Sequence, residues 1–344
     1  MRTKRIVFKK PKEVSIEEID LPEPSENQVL IKTLVTLIST GTELTILLGS
    51  FPSNSVWAKY GTYPFVAGYS NVGVVIKKGA NVKDVEVGDR VVSRAPHSQY
   101  ALVDVGGEVV RLPHGIVKVP DGVSDEAATF HDLAATVINS VRLSKVTLGE
   151  SVGVVGVGIL GQFAIMFSRL AGGFPVIALD MSEDRLKLAR KSGATDVLRS
   201  DIEDVVKKIQ DLTDNRMLDV VFEVTGNPDV IPWAIRLVKR LGRFIILSSP
   251  KGPTQLDFHD EVNAPSRVII GTHVASHPEY ETPYNPWTKK RNTLLFFNLL
   301  KAGLVKVDHL ISATYPWYEA ENAYKMLIEN RAKVMGVLLD FRES

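Results

Sequence analysis

The sequence predicts an α/β protein made of a β-rich N-terminal domain and a doubly wound parallel sheet, and three observations predict it. From Arg5 to about Pro120, short apolar runs are separated by Gly-, Asp- and Pro-containing turns, while helix signals are scarce. Beyond Leu148, strand-like and helix-like segments alternate, which is the pattern of a parallel sheet with crossover helices. Where the two regimes meet, Ser151 to Asp180 reads as strand, glycine-rich turn, helix and second strand.

The first region carries strand text at Ile6 to Phe8, Val14 to Ile19, Val29 to Ile38, Val72 to Ile76, Arg90 to Val92, Tyr100 to Val103 and Ile116 to Val119. This suggests a small antiparallel barrel or sandwich. Two stretches without strand character, Ser39 to Gly49 and Phe51 to Ser70, read as binding loops. Ser124 caps a helix with Asp125 and Glu126 in its first turn, carried on by Ala127 to Val141. After the glycine-rich unit come helix Ser182 to Lys191, strand Asp196 to Leu198, helix Ile202 to Leu212, strand Asp219 to Val224, helix Ile231 to Val238 and strands Arg243 to Leu247 and Arg267 to Ile270. A segment rich in His, Tyr, Pro and Trp runs from His273 to Trp287 and reads as site lining. Helices Arg291 to Ala302 and Glu319 to Asn330, with strand Val334 to Asp340, then return to the first domain.

The chain has 344 residues, enough for two domains with sizeable cores. Its 41 Lys plus Arg against 40 Asp plus Glu leave a formal charge of +1, so no basic field for nucleic acid stands out and a small-molecule partner is expected. Cysteine is absent, which removes disulfides, thiolate zinc sites and thiol nucleophiles together. No run approaches the ~18 apolar residues of a membrane helix. The expectation is a cytoplasmic protein that binds neither nucleic acid nor membrane.

In Gly156-Val157-Gly158-Ile159-Leu160-Gly161, Gly156 permits the tight turn and Gly158 lets backbone amides approach a pyrophosphate. Gly161 lets the helix Gln162 to Ala171 lie close to the strand Val152 to Val155. The helix N-terminus adds partial positive charge. The next strand ends on Asp180, at the spacing where dinucleotide-binding folds accept ribose hydroxyls. Such an acid favours NAD over NADP, because it repels a 2′-phosphate and neither Met181 nor Ser182 can bind one. Arg185 lies on the helix that follows, where it is either a solvated arginine or, as the resemblance given below implies, a neighbour of the adenosine. Thr225-Gly226 and Ser248-Ser249 lie just past the ends of two later strands, the edge on which open α/β sheets bind ligands.

Thr40-Gly41-Thr42-Glu43, Gly68-Tyr69-Ser70, Val87-Gly88-Asp89-Arg90-Val91 and Gly156 to Gly161 together resemble the medium-chain dehydrogenase/reductase family of alcohol and polyol dehydrogenases. The resemblance covers nearly the whole chain. It implies a GroES-like catalytic domain (1–144), a Rossmann dinucleotide-binding domain (145–284) and a return to the catalytic domain (285–344), assembled as a homodimer or homotetramer. Zinc-using members hold the metal with Cys, His and a third Cys or Glu. Those positions correspond here to Thr40, Tyr69 and His131, and the four-cysteine structural loop, falling around His97 to Leu112, is missing. A catalytic zinc is therefore not expected.

The resemblance places Thr42 where a hydroxyl bonds the reacting oxygen, Glu43 where an acid orients a metal-binding histidine, and His131 where the lost metal would face substrate. Tyr69 is a phenol that can donate to a substrate oxygen, although packing is as common a use for it. His131, the group titrating nearest neutral pH, is the candidate proton acceptor, with Glu43 or Asp132 orienting it. His97, Asp132, His273 and His277 are candidate substrate contacts. These residues point to an NAD-dependent oxidoreductase that interconverts a secondary alcohol, such as a polyol or sugar acid, and a ketone. A zinc-free enone or quinone reductase and a non-catalytic dinucleotide-binding protein remain as alternatives.

Overall fold

The structure, a computed structural model, describes residues 1–105 and 115–343. It divides into two compact units, Met1–Ala135 with Pro278–Ser344, and Thr136–His277. Of the expected structural-zinc loop, Gly106 to Leu112 lie outside the described residues.

In the first unit the chain runs through β1 (Arg2–Lys10), β2 (Glu13–Asp20), β3 (Gln28–Leu37), helices α1 (Thr42–Leu48) and α2 (Val56–Tyr60), β4 (Phe65–Val66), β5 (Asn71–Lys78), β6 (Arg90–Ser93), β7 (Tyr100–Asp104), β8 (Val117–Lys118) and α3 (Asp125–Ala128), and then enters α4 (His131–Ser144). Strand β3 is the centre, pairing antiparallel with both β5 and β7, and its apolar side chains Val29, Ile31 and Val35 are buried. Two expectations are corrected. The stretches expected as irregular loops contain α1, whose Leu44, Ile46 and Leu47 enter the core, and α2, capped by Ser55. The bridging helix is interrupted: the Thr129 hydroxyl donates to the Glu126 carbonyl (2.7 Å) at the end of α3, and a new helix opens at His131.

The second unit holds β9 (Val152–Val155), α5 (Ile159–Leu170), β10 (Val176–Asp180), α6 (Glu183–Lys191), β11 (Asp196–Arg199), α7 (Val205–Leu212), β12 (Leu218–Glu223), α8 (Ile231–Ala234), β13 (Val238–Ile246) and β14 (Val268–Gly271). Its six strands are parallel in the order β11-β10-β9-β12-β13-β14. The strand order reverses between β9 and β12, and a dinucleotide-binding sheet takes its ligand at such a switch point. The strands read as continuous β-branched and aliphatic runs because both faces are buried. The helix expected to reach Val238 is shorter. It tightens after Ala234 into a 3-10 turn, and the β-branched Val238 already pairs with Leu218 as sheet.

The chain then returns to the first unit through α9 (Lys289–Lys301), β15 (Ile311–Pro316), α10 (Ala320–Glu329) and β16 (Gly336–Asp340). The run Ile311–Pro316 was not anticipated as a strand; it pairs parallel with β16, which in turn pairs with β3. This return completes the first core. Tyr324 of α10 meets Phe8 edge-on at 5.1 Å, and Trp317 stacks on Phe341 at 5.6 Å. Each such buried ring contributes about 1.5–3 kcal/mol through burial. No helix among the described residues is long and apolar enough to cross a membrane.

Helix α5 packs so closely on the glycine turn that a Cβ on Gly161 would stand 2.2 Å from the Gly156 carbonyl oxygen. Gly161→Ala is therefore expected to destabilise the second unit by about 1–3 kcal/mol, the range of overpacking substitutions. Denaturant unfolding measures it, and an unchanged midpoint would refute the close approach.

Candidate active site

In the second unit, β9 delivers the chain into a turn that only glycine accommodates. Gly156 has φ +88°, and a side chain there would press on Thr225. Gly158 caps α5 without any side-chain acceptor for the helix's first amides, and a Cβ there would meet open space. Ile159 and Leu160 supply the next amides, which is the arrangement that cradles a phosphate. Asp180 closes β10 and braces this turn. Its Oδ2 accepts from Val157 N (2.9 Å), its Oδ1 accepts from Ser182 N (2.8 Å), and the Arg185 guanidinium lies 3.9 Å away.

Thr225 and Ser248 share a partner that sequence reasoning missed, the fully buried Glu223 at the end of β12. Both hydroxyls donate to its carboxylate, and Thr225 N adds a third bond of 2.7 Å. Having given up its proton, each hydroxyl offers a ligand only acceptor lone pairs. Gly226 and Ser249 lie side by side on the same rim, since a Cβ on Gly226 would stand 3.6 Å from the Ser249 carbonyl oxygen. Gln162, also missed, ties the turn from beneath by donating to Val157 O (2.9 Å) and accepting from Ser192 Oγ (2.7 Å). The residues present thus fit a dinucleotide. His273 and His277, expected as substrate contacts, each engage Nδ1 inside their own turn. His273 Nδ1 accepts from Ala275 N, and His277 Nδ1 donates to Val274 O (2.8 Å).

In the first unit, Thr42 opens α1, with Tyr69 Oη 3.3 Å from its hydroxyl and also bonded to Ser39 Oγ. Burial pushes the Tyr69 phenol well up, with the nearby Asp132 charge adding to the rise, so the phenol keeps its proton. Glu43 does not orient His131. Its buried carboxylate accepts from Ser39 N (2.8 Å), from Tyr324 Oη and from His97 Nε2 (3.0 Å), while His97 Nδ1 bonds Thr36 Oγ1 (2.7 Å). His97 is fully buried with both ring nitrogens engaged, which leaves it no atom for substrate. Tyr324, on the returning chain, carried no sequence signal for this role.

His131 stands at the start of α4 and is 4% exposed. It hydrogen-bonds the Ser93 backbone, and its Nε2 is buried without a partner among the described residues. A carbonyl acceptor requires N–H on the bonded nitrogen, so Nδ1 carries the proton and Nε2 a lone pair. The ring borders a cavity of about 140 Å³ that is also lined by Val92, Arg94, Asp132, Lys289 and Thr293. Asp132 bonds the Lys289 ammonium and lies 3.6 Å from Arg94, whose guanidinium also covers the Tyr69 ring at 5.1 Å. Thr42, Tyr69, Arg94, Asp132 and Lys289 are thus linked in sequence, with His131 adjoining. Burial would raise the Asp132 carboxyl, but Lys289 and Arg94 outweigh it and hold it down at about 2. Arg94 and Lys289 were not anticipated. A visible signal was the basic run Lys289-Lys290-Arg291 at a helix start, where acids are the stabilising choice.

These residues do not fit a zinc ion. Beside His131 the corresponding donors are the Thr40 hydroxyl and a phenol that keeps its proton, and two buried cations adjoin them. Among the described residues, no three His, Cys, Asp or Glu side chains group as a metal site.

A GroES-like β unit and a six-stranded dinucleotide-binding sheet define a class, the two-domain dehydrogenases. Residues 25–131 match the alcohol dehydrogenase GroES-like domain, and residues 160–290 match the zinc-binding dehydrogenase domain. The L-threonine 3-dehydrogenase of Pyrococcus furiosus is 30% identical, across 90% of this chain and 90% of that protein. The sorbitol dehydrogenase of Bacillus subtilis is 24% identical, across 98% and 96%. An alcohol dehydrogenase from Escherichia coli CFT073, solved with NADH, shares the fold with a TM-score of 0.82 at 19% identity, across 98% and 99% of the two chains. The chain belongs to the medium-chain dehydrogenase/reductase family of alcohol and polyol dehydrogenases.

Burial draws His131 down to about 4 from its ordinary 6.5, against the raising pull of Asp132. The unfolded chain binds this proton near pH 6.5 and the folded chain only near 4, so the stabilisation is complete above pH 6.5 and is lost as pH falls through 4. The difference corresponds to roughly 3 kcal/mol. Urea unfolding between pH 7 and 4 is expected to show a shallower loss of stability in His131→Gln than in the wild type; parallel curves would contradict the neutral buried imidazole.

Proposed function

We propose that the protein is an NAD-dependent dehydrogenase that interconverts a secondary alcohol and a ketone on a small hydroxylated substrate, with His131 as the proton acceptor. The observation that carries this is the neutral His131, a residue that lines a cavity and whose Nε2 has no hydrogen-bond partner among the described residues. The relatives named for L-threonine and sorbitol, both hydroxylated small molecules, support the substrate class.

When bound, the nicotinamide supplies the hydride acceptor. The Gly156–Gly161 turn and the amides of α5 hold the pyrophosphate, and Asp180 receives the adenosine ribose. Thr225 and Ser248 offer oriented lone pairs at the sheet edge. In the oxidative direction the alcohol O–H donates its proton to His131 Nε2 as the carbon gives up hydride. Thr42 holds the oxygen by a hydrogen bond, and the Tyr69 phenol stands beside it, bonded to Ser39 Oγ. The bond between His131 and Ser93 fixes the tautomer that this step requires. The reading includes a cytoplasmic homo-oligomer, and light scattering of the purified protein tests the assembly.

His131→Ala and His131→Asn are expected to lower turnover by roughly 10²–10⁴-fold, the usual worth of general acid–base catalysis, while NADH affinity stays near wild type. Stopped-flow turnover beside NADH titration measures both, and wild-type turnover in both variants would remove His131 from the chemistry. The cofactor choice has its own test. Wild-type protein should bind NAD more tightly than NADP, and Asp180→Ala should narrow the gap; tighter NADP binding by the wild type would refute the assignment of Asp180 to the ribose.

A further inference from the structure

The cavity beside His131 holds more positive charge than its own structure uses. Asp132 already has a full partner in the Lys289 ammonium, yet the Arg94 guanidinium, with its side chain only 16% exposed, is packed in beside them. Arg94 Nη1 is buried with no hydrogen-bond acceptor among the described residues, since the 3.6 Å to Asp132 is too long for one. The other buried carboxylate among the described residues of this unit, Glu43, spends its lone pairs on Ser39, His97 and Tyr324. Two cations against one carboxylate, with an orphaned N–H, is a costly arrangement to bury.

Helix α9 adds to the imbalance. It begins Lys289-Lys290-Arg291 with no acid in its first turn, so its cations sit at the end where the helix dipole is already positive. Lys289 is 5% exposed and points into the cluster, and Lys290, also on the cavity wall, reaches outward to Asp84 at 3.0 Å. Violations of local stability rules that converge on one cavity mark a site rather than scaffold. On the same wall His131 Nε2 is an orphaned acceptor. Two residues of the cavity wall therefore hold an unused donor backed by two cations and an unused lone pair, each just beneath its surface.

The geometry points to an oxyanion-binding subsite in this cavity: Arg94, backed by Lys289, receives a carboxylate or phosphate oxygen of the substrate while the substrate's hydroxyl donates to His131 Nε2. The substrate class is then a hydroxy acid or a hydroxylated phosphate ester rather than a neutral polyol. This rests on the dehydrogenase reading for the hydroxyl's fate, but the anion site stands on the cluster alone.

Sodium acetate and inorganic phosphate, titrated separately into the full-length protein at neutral pH and followed by calorimetry, test it. One of the two is expected to bind saturably. Arg94→Gln should weaken that binding about ten-fold or more, and Arg94→Lys should restore part of it. Stronger acetate binding identifies a carboxylate substrate, and stronger phosphate binding a phosphate ester. Because Arg94→Gln can fail to fold, nitrogen NMR of the wild-type arginine side chains provides a second measurement, in which the Arg94 guanidinium signal should move along the titration. Absence of saturable binding by either anion, or a still Arg94 signal, would overturn the subsite. Turnover assays with NAD separate the two readings. Anion binding without turnover of any alcohol refutes the dehydrogenase and keeps the subsite, whereas turnover of neutral polyols without anion binding refutes the subsite and keeps the dehydrogenase.

Discussion

The first unit depends on how Asp132 is kept charged while buried. A carboxylate in that position without a partner would be destabilising by about 3–5 kcal/mol. Its partners come from distant parts of the chain: Lys289 from the first turn of α9, and Arg94 from the end of β6. The pairing ties the returning C-terminal segment to the N-terminal sheet at one point, and the Tyr324–Glu43 bond ties it at another. The same two cations have a second effect. They add to burial in keeping His131 unprotonated, and they make its surroundings hostile to a metal dication. A position that binds metal in zinc-using relatives is here arranged around a neutral imidazole and fixed positive charge.

The second unit uses the same device with the sign reversed. Asp180 and Glu223 sit at the ends of β10 and β12; Asp180 accepts from Val157 and Ser182, and Glu223 from Thr225 and Ser248, so each acid ties its own loop to that of a neighbouring strand. Each acid immobilises backbone or hydroxyl groups beside the place where a dinucleotide would lie, so less ordering remains to be done on binding. Gln162 does similar work beneath the glycine turn.

What the sequence revealed and what it hid divide along physical lines. The glycine turn, the acid at the end of β10 and the βα alternation were legible because each depends on residues close together in the chain. Helix α1 was hidden because it is only two turns long and opens on the polar Thr42 and Glu43, which read as loop. The break before His131 was hidden because Thr129 acts through a local side-chain bond that leaves the apolar pattern unbroken. His97 was singled out as a substrate contact, and its two ring nitrogens are instead taken by Thr36 and Glu43, partners far away in the sequence. Arg94, Lys289, Glu223 and Tyr324 act through contacts distant in sequence or through burial, neither of which composition or periodicity displays.

Everything proposed for the first unit requires that His131, on the cavity wall, keep Nε2 unprotonated at neutral pH. Nitrogen NMR of histidine-labelled protein, with the His131 signals assigned by substitution, observes this directly. An Nδ1–H tautomer is expected at pH 7, with protonation only near pH 4. An imidazolium at pH 7, or a proton found on Nε2, would contradict it.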